Sequence, residues 1–311
     1  MTKKQLPKVL GIGEILWDCL PDGKVLGGAP ANFAYHAAQF GFEGYAVSAV
    51  GKDSSGKEIL DVLAEKRLNN LIERVDYPTG TVQVTLDDKG VPKYEICENT
   101  AWDNIPFTAQ MEALARNCKA VCFGSLAQRS KVSRETILRF LELVPNDSLK
   151  IFDINLRQHF YSKEIIHNSL VKCNILKINE EEVIALAKLF YNCGSDPQFL
   201  AKVDLAQSAE IFEQDFCKRL LKAYNLKMVI ETKGAIGSYV FTADETSYID
   251  TLKVQVADTV GAGDSFTGAF TAALLQGKSI REAHKLGVDI SAYVCTQKGA
   301  MPITSNQIKA S

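Results

Sequence analysis

The sequence lacks a strong net charge, a long apolar run and a regular cysteine pattern. Its 311 residues include 35 Lys and Arg against 37 Asp and Glu, which gives a formal net charge of −2. Because this balance provides no broad attraction for phosphate backbones or anionic lipid, we expect neither nucleic acid nor a membrane as partner. No apolar stretch approaches the length of a membrane span, and the N-terminal segment has no small-residue cleavage site, so we expect a cytoplasmic protein.

Cysteine and histidine are present without the spacing of a disulfide framework, a metal site or a catalytic triad. Eight cysteines are scattered along the chain, which favours reduced thiols. Cys118 and Cys122 are four residues apart but have neither a second pair nor a nearby histidine, so we interpret them as buried structural thiols. The histidines, which also lack ligand spacing, are interpreted as structural or surface groups: His36, His159, His167 and His284.

What the sequence does contain is 46% hydrophobic residues, arranged as buried-strand runs that alternate with amphipathic stretches of helix length. The strand runs are 8–13, 46–50, 120–123, 151–154, 175–178 and 228–231, and the helical stretches are 31–40, 56–66, 133–143, 180–189 and 215–224. This alternation predicts a three-layer α/β/α fold with a mostly parallel central sheet. Since no linker-like segment interrupts it, we expect residues 1–311 to form a single domain.

Residues 79–100 depart from this alternation, because they form two alternating strands around Asp87-Asp88-Lys89-Gly90, which is typical of a β-hairpin. A second strand-rich segment lies near the N-terminus. We predict that the two segments, about 14–26 and 78–103, form a small β lid at one edge of the main sheet. Because an uncovered apolar strand edge promotes aggregation, we also expect two lids to pair in a homodimer.

The strongest chemical signal is Asp-Thr-Val-Gly-Ala-Gly-Asp-Ser-Phe at 258–266, which leads into a helix of small and apolar residues. Gly261, Ala262 and Gly263 have little or no side chain, so an anion can approach the unpaired amides of this helix N-terminus. A carboxylate at Asp264 is unexpected beside an anion unless it accepts a proton from an attacking hydroxyl. The structural alternative is that Asp264 only caps the helix and the glycines only form a tight turn.

Two other glycine-rich segments fit nucleotide motifs only in part. Residues 51–57 have the spacing of a P-loop, but Glu58 follows where a hydroxyl residue should bind Mg²⁺, so we reject that interpretation. We expect instead a helix start capped by Asp53. Gly11-x-Gly13 does not fit a dinucleotide fingerprint either, because Leu16 replaces the third glycine.

Together with its flanking residues, segment 258–266 resembles the C-terminal signature of the PfkB (ribokinase-like) carbohydrate kinase family, and the resemblance covers nearly the full chain. Residues 27–32, Gly-Gly-Ala-Pro-Ala-Asn, are similar to the sugar-binding segment of that family, and Asp18 matches its early acidic residue. The resemblance implies a ribokinase-like fold in which these residues bind the sugar: Asp18, Gly27, Gly28, Asn32 and Asp264. A turn with an asparagine cap is the structural alternative for Asn32.

Further segments resemble the nucleotide and cation sites of the family. Asn179-Glu180-Glu181-Glu182 is similar to a motif that acts on Mg²⁺ and phosphate through water, which implies that role for Glu182. With the turn at 232–237, the resemblance implies these nucleotide-binding residues: Asn179, Thr232, Gly234, Gly237, Gly261 and Gly263. Segment 294–300 resembles the part that holds a monovalent cation in K⁺-activated members, which implies these ligands for K⁺: Asp258, Val260, Val294, Gln297 and Gly299.

The segment Asp153-Ile154-Asn155-Leu156-Arg157 is similar to one in fructokinase-like members, where Arg157 would neutralise a phosphate or hold the lid closed. A structural ion pair is the alternative for Arg157. The resemblance implies a phosphotransferase that uses ATP with Mg²⁺, and K⁺ as a further candidate cofactor, to phosphorylate a hydroxymethyl group of a small sugar. We expect fructose as substrate and fructose 6-phosphate as product. Ribose, a keto-deoxy sugar acid, a nucleoside or a non-catalytic sugar-binding regulator are the alternatives.

Overall fold

A nine-stranded sheet forms the centre of the computed structural model, which describes residues 6–20, 23–86, 92–191 and 206–304. In spatial order the strands are β13 (Thr246–Asp250), β12 (Gly237–Phe241), β11 (Met228–Thr232), β10 (Ile175–Asn179), β9 (Leu149–Asp153), β8 (Cys118–Phe123), β1 (Lys8–Ile12), β4 (Glu43–Gly51) and β5 (Asn69–Val75). Pairing is parallel from β11 to β5 and antiparallel between β11, β12 and β13. The six predicted strands are confirmed, whereas β5, β12 and β13 were not predicted.

Helices cover both faces of this sheet. They are α1 (Ala29–Ala38), α2 (Ser54–Glu65), α3 (Ala109–Arg116), α4 (Lys131–Leu143), α5 (Lys163–Lys172), α6 (Glu180–Tyr191), α7 (Ala206–Ala223), α8 (Ala262–Leu275) and α9 (Ile280–Cys295). The five predicted helical stretches and the helix predicted after segment 258–266, which is α8, are confirmed, and α3, α5 and α9 complete the two outer layers. Helices α1, α2, α8 and α9 contribute to the core on one face, and α3 to α7 contribute to the core on the other.

Alternate residues of the central strands fill these two cores. In β1, Leu10 and Ile12 belong to one core and Val9 to the other. In β8, Phe123 packs in the first core and Cys122 in the second. A strand that is buried on both faces needs apolar side chains at successive positions, which is why these strands are visible in the sequence as continuous apolar runs.

The lid is a separate four-stranded sheet formed by β2 (Leu16–Leu20), β3 (Gly23–Gly27), β6 (Gly80–Leu86) and β7 (Pro92–Ile96). The strands lie in the order β3-β2-β6-β7, and they match the two predicted segments except that β3 extends one residue beyond 26. The β2–β3 and β6–β7 pairs are antiparallel, and β2 pairs with β6 in parallel. The predicted lid is therefore confirmed, and the turn predicted at 87–90 lies outside the described residues.

Asp53 connects the main sheet to the lid. Its side chain caps α2 by accepting from the Gly56 amide at 2.7 Å, as predicted. It also accepts from the amide and the hydroxyl of Thr79, at 2.9 and 2.6 Å, just before β6 begins. Partial burial alone would raise the pKa of Asp53, but together these hydrogen bonds outweigh it and hold the pKa below its usual value.

No helix within the described ranges combines the length and the apolar character that a bilayer crossing requires. The seven cysteines in those ranges are free thiols, and Cys193 lies outside them.

Candidate active site

The N-terminus of α8 forms a shallow cup of backbone amides. Gly261, the residue before the helix, has φ of 77°, a left-handed conformation that glycine adopts without strain. An added Cβ at Gly261 would lie 2.6 Å from the Cβ of Ala300, and one at Gly263 would lie 3.1 Å from Nζ of Lys177. Gly261 therefore requires glycine, whereas a side chain at Gly263 would require Lys177 to move. The Ala262 amide donates to the Thr259 carbonyl oxygen at 3.3 Å, a long hydrogen bond that an anion would have to replace, so the amides of Gly261 and Gly263 are the candidates to bind an anion directly.

Asp264 lies in the first turn of α8 and connects it to α1. The Nδ2 atom of Asn32 donates to Oδ2 of Asp264 at 2.8 Å, across 232 residues of sequence. Helix α1 comes this close because Gly268 of α8 has no side chain; an added Cβ there would lie 2.8 Å from the Phe33 carbonyl oxygen. The structure thus places two residues from opposite ends of the chain side by side.

Burial, and next the nearby charge of Asp153, raise the pKa of Asp264 to about 6, while Asn32, Lys177 and Arg157 act in the opposite direction. A carboxylate with this pKa is a stronger base than an ordinary aspartate, yet it is still ionised near neutral pH. Asp264 can therefore accept a proton from a hydroxyl that lies beside the amide cup. The hydrogen bond of Asp264 to α1 gives the side chain a role beyond capping its own helix.

Lys177 is a candidate site residue that the sequence analysis missed. It is buried at 7% exposure in β10, and its Nζ atom lies 3.0 Å from each carboxylate oxygen of Asp153 on β9. Burial alone would lower the pKa of Lys177, but the charges of Asp153, Glu182 and Asp264 outweigh it and the pKa is raised. Lys177 therefore stays protonated, and its positive charge lies next to Gly263. The signal in the sequence was a lysine inside the apolar run 175–178.

Glu14 is a second missed residue, and it follows β1 by two positions. Its side chain is 4% exposed, and within the described part of the chain its Oε2 atom has no hydrogen-bond partner. Burial raises the pKa of Glu14 to about 7, and the charges of Asp264 and Asp153 add to this while Arg157 opposes it. The Glu14 carboxyl group is therefore close enough to Asp264 and Asp153 for their charges to change its pKa.

The predicted sugar-binding residues lie next to these groups. An added Cβ at Gly27 would lie 2.6 Å from Oδ2 of Asp18, and one at Gly28 would lie 2.6 Å from the Glu14 carbonyl oxygen. Gly28, with φ of 129°, is the residue from which α1 begins, and α1 holds Asn32. Burial raises the pKa of Asp18, and Arg157 opposes that shift. The structure therefore brings Asn32 into contact with Asp264 and Gly27 into contact with Asp18, and the role of all four in sugar binding stays a prediction.

A cavity of about 450 Å³ adjoins the other side of the cup. The predicted nucleotide residues Thr232, Gly234, Gly237 and Gly263 line it, together with Ala262. Much of the remaining lining is apolar: Leu252, Val254, Val256, Phe266, Val288 and Ala292. The flat, apolar base of a nucleotide fits such a lining. The phosphates of that nucleotide would then point towards the amides of α8. Gly261 lies at the back of the cup, against Ala300.

Asn179 and Glu182 stabilise the start of α6 through two reciprocal hydrogen bonds. The Asn179 side-chain oxygen accepts from the Glu182 amide at 2.9 Å, and Oε2 of Glu182 accepts from the Asn179 amide at 2.9 Å. Oε1 of Glu182 accepts from the Leu156 amide at 2.8 Å. Both oxygens of Glu182 keep one lone pair beyond these bonds, so they can still accept from water around an ion. The role of Glu182 towards Mg²⁺ stays a prediction.

The residues predicted to hold K⁺ lie in two adjoining loops. Asp258 accepts from the amides of Val260 and Gly299, at 3.0 and 3.1 Å, through its two oxygens. The Cys295 carbonyl oxygen accepts the amides of residues 257 and 258, and the Val294 carbonyl accepts the amide of Gln297 at 2.9 Å. Carbonyl and carboxylate oxygens are the ligands that a hard cation prefers, so the donor set fits the ion. The K⁺ role stays a prediction.

Arg157 is exposed, and its guanidinium donates to the neighbouring Leu156 carbonyl at 3.0 Å. Its charge reaches the cleft, because it lowers the pKa values of Glu14, Asp18 and Asp264. The neighbouring Gln158 makes a hydrogen bond to the lid, because its side chain donates to the Tyr94 carbonyl of β7 at 2.8 Å. The role of Arg157 towards a phosphate or the lid stays a prediction.

The model of the pfkB family carbohydrate kinases matches residues 22–307. The chain is 29% identical over 314 residues to the ATP-dependent 6-phosphofructokinase of Thermoanaerobacterium thermosaccharolyticum, covering 94% of this chain and 89% of that protein. It is 25% identical over 329 residues to the probable chloroplastic fructokinase-6 of Arabidopsis thaliana, covering 97% and 80%.

The fold is shared with a double-mutant fructokinase of Vibrio cholerae O395 in its fructose, ADP and potassium ion bound form. That comparison has a TM-score of 0.76 and 20% identity, and it covers 99% of this chain and 98% of the other. The family match includes β3, β6 and β7 of the lid, the α1 segment and the α8 cup, and it begins just after β2. The chain belongs to the pfkB family of carbohydrate kinases.

Proposed function

We propose that this sugar kinase is a fructokinase, which transfers the γ-phosphoryl group of ATP to the C6 hydroxyl of fructose. The observation that carries the proposal is the Asn32–Asp264 hydrogen bond of 2.8 Å, placed between the lid and the amide cup. In the reaction, Asp264 accepts the proton of the hydroxyl as its oxygen bonds to the γ-phosphorus. The bond from that phosphorus to the bridging oxygen of ADP breaks, and ADP leaves with the electron pair.

The amides of Gly261, Ala262 and Gly263 would stabilise the negative charge on the transferring group, and the ammonium of Lys177 beneath Gly263 would add to this effect. Mg²⁺ enters with ATP and neutralises part of the phosphate charge. Asn179 and Glu182 would orient its water ligands. Closure of the lid over the sugar would exclude water, so that ATP is not hydrolysed instead.

The charges around the cleft support an uncharged sugar. Asp18 and Asp264 supply two carboxyl groups there, and burial raises the pKa of Glu14 to about 7, so that its carboxyl group can also donate to a hydroxyl. Carboxylates accept hydrogen bonds from sugar hydroxyls but repel a sugar phosphate or a sugar acid. The names of the fructokinase relatives agree with this choice. The relative named 6-phosphofructokinase makes fructose 6-phosphate the second candidate.

A substrate panel tests the proposal. ADP release would be measured with fructose, fructose 6-phosphate, ribose, a keto-deoxy sugar acid and a nucleoside, and the product would be identified by ³¹P NMR. We expect the highest kcat/KM for fructose and a 6-phosphate product. A preference for fructose 6-phosphate would replace the first candidate by the second, and no turnover of any sugar would favour a non-catalytic regulator.

The variant Asp18→Asn tests the sugar site on its own. It removes the charge that accepts from hydroxyls but keeps the size of the side chain, so we expect a higher KM for fructose and an unchanged KM for ATP. Lys52→Met is the matched control, because Lys52 pairs with Asp76 on the surface of the same end of the sheet, with both side chains exposed. Both KM values should be unchanged in that variant.

We further propose that K⁺ binds between the loops at Asp258 and Gly299. The Gly299 amide donates to the Asp258 carboxylate at 3.1 Å, and the Asp258 amide donates to the Cys295 carbonyl oxygen at 3.2 Å, so the two loops already adjoin. An ion bound there would hold the start of α8 in place. Turnover should therefore rise when KCl replaces choline chloride at constant ionic strength. Equal turnover in both salts would contradict this role.

The lid also supports the proposal of a homodimer. Leu20 is 38% exposed and Val25 is 36% exposed, and Val25 lies opposite Asp18 in the β2–β3 pair. Tyr94 of β7 is 57% exposed. A second lid would cover these apolar groups and close the sugar site. Sedimentation velocity at micromolar concentration should show a dimer, and a monomer alone would exclude it. We expect one kinase domain over residues 1–311 that acts in the cytoplasm.

A further inference from the structure

His36 forms a buried link between α1 and the C-terminal segment. It lies one helical turn after Asn32, it is fully buried, and its Nε2 atom is 2.8 Å from the Ala300 carbonyl oxygen. Since a carbonyl oxygen can only accept, Nε2 must carry the proton and donate. Burial lowers the pKa of His36 to about 4, so the ring stays neutral near neutral pH and the link keeps this form.

Ala300 in turn sets the position of the amide cup. At Gly261 an added Cβ would lie 2.6 Å from the Ala300 Cβ and 2.7 Å from its Cα, so the two backbones are in the closest contact that glycine allows. The preceding residue, Gly299, donates its amide to Asp258 at 3.1 Å. Any shift of Ala300 would therefore move Gly261, the first residue of the cup, and the loop at Asp258.

We propose that His36 is a positioning residue for phosphoryl transfer, which holds Ala300 against Gly261 and so fixes the amide cup relative to Asn32 on the same helix. Helix α1 then fixes both the Asn32–Asp264 hydrogen bond and the contact between Ala300 and Gly261. The proposal rests on the proposed kinase function, since its effect on turnover depends on transfer at this cup. A shift of the cup by a fraction of an ångström would misalign the transferring group while leaving both substrates bound.

The chain offers a matched control at Gln39, the residue that follows the last residue of α1. The Gln39 side chain donates to the Pro302 carbonyl at 3.3 Å and accepts the Thr304 amide at 2.7 Å. It tethers the same C-terminal segment to α1, but at residues farther along the chain from Gly261. Loss of the Gln39 bonds should loosen the segment without moving Ala300.

Three variants test the proposal: His36→Leu, which keeps volume but loses the donor; His36→Gln, which keeps a donor; and Gln39→Leu. For His36→Leu we expect kcat to fall about 10- to 100-fold, with KM for fructose and Kd for ADP, measured by calorimetry, within about twofold. His36→Gln should recover most of the loss. Gln39→Leu should lower Tm but leave kcat unchanged.

Hydrogen exchange provides a readout that needs no turnover. The peptide that spans residues 258–266 should exchange faster in His36→Leu than in the wild type or in Gln39→Leu. If the leucine variant does not fold, His36→Asn, one methylene shorter than the glutamine variant, replaces it in the same comparison.

Each of three outcomes would overturn the proposal: unchanged exchange of this peptide, an equal loss of kcat in Gln39→Leu, or parallel rises in KM for fructose and Kd for ADP. If the wild type phosphorylates no sugar, the proposed function fails, and the exchange measurement still decides whether His36 holds the cup.

Discussion

Replacement of Lys177 by methionine tests whether its buried charge takes part in the chemistry. The variant keeps most of the volume of the side chain but leaves Asp153, which is 5% exposed, without its partner at 3.0 Å. Loss of one member of a buried ion pair costs about 3–5 kcal/mol. Loss of one stabilising group at a transferring phosphoryl group lowers kcat by about 10²–10³. We therefore expect both the free energy of unfolding and kcat to fall.

The pH profile of the same variant has a definite direction. Lys177 lowers the pKa of Asp264, and Asp153 raises it. Without Lys177 the pKa of Asp264 must rise above its value of about 6, so the acid limb of the kcat/KM profile should move to higher pH. Urea unfolding at pH 7 and a coupled assay of ADP release from pH 5 to 9 measure the two effects.

The double variant Lys177→Met with Asp153→Leu separates stability from chemistry. Replacing both partners by apolar groups should recover most of the free energy of unfolding, because no buried charge is left alone. It should not recover kcat, since the ammonium is still missing. If the double variant regains full turnover, or if Lys177→Met keeps kcat within about threefold of the wild type, Lys177 is a structural residue only and our interpretation of the cup is wrong.

Three further predictions concern stability and backbone geometry. Asp53→Ala should lower Tm and cost about 1–2 kcal/mol in urea unfolding, because it removes the α2 cap and the bonds to Thr79. Glu231 is fully buried, and burial raises its pKa from 4.5 to about 7, so its contribution to stability is present below pH 4.5 and is lost as the pH rises through 7. In the wild type, this ionisation should lower the free energy of unfolding by on the order of 3 kcal/mol between pH 5 and pH 8. In Glu231→Gln the free energy of unfolding should not fall in this way; an unchanged fall would assign the pH dependence to other groups. Gly261→Ala should lower kcat more than either KM, since φ of 77° and the contact with Ala300 both oppose a side chain; normal turnover would show that the cup tolerates movement.

The fold could be predicted where burial imposes a simple pattern. The strands β1, β4 and β8 to β11 are covered on both faces, so each requires a continuous apolar run. Strand β13 at the sheet edge alternates exposed with buried or half-buried residues, and β12 begins with Gly237 and Ser238 instead of an apolar run, so both strands give a weaker signal. The lid was visible because its alternating strands differ from the surrounding pattern, but the parallel β2–β6 pairing depends on contacts that no local segment specifies.

The candidate site could be predicted where backbone chemistry leaves a motif. The glycines of the cup and Asp264 adjoin in sequence, so their spacing alone indicates an anion beside a base. Lys177 and Glu14 were missed because their roles arise from neighbours on other strands. Asp153 lies 24 residues from Lys177, and the role of a buried lysine can be inferred only when its charged partner is known. His36 is similar, since its partner Ala300 is 264 residues away.

The substitution Asp264→Asn tests the central claim most directly, because it keeps the shape of the side chain and an acceptor for Asn32 but removes the base. The measurement is kcat with saturating MgATP and fructose, together with the Kd for fructose. We predict that kcat falls by about 10²–10⁴, while the Kd for fructose changes by no more than about threefold. Turnover within a few-fold of the wild type would contradict the assignment of Asp264 as the base.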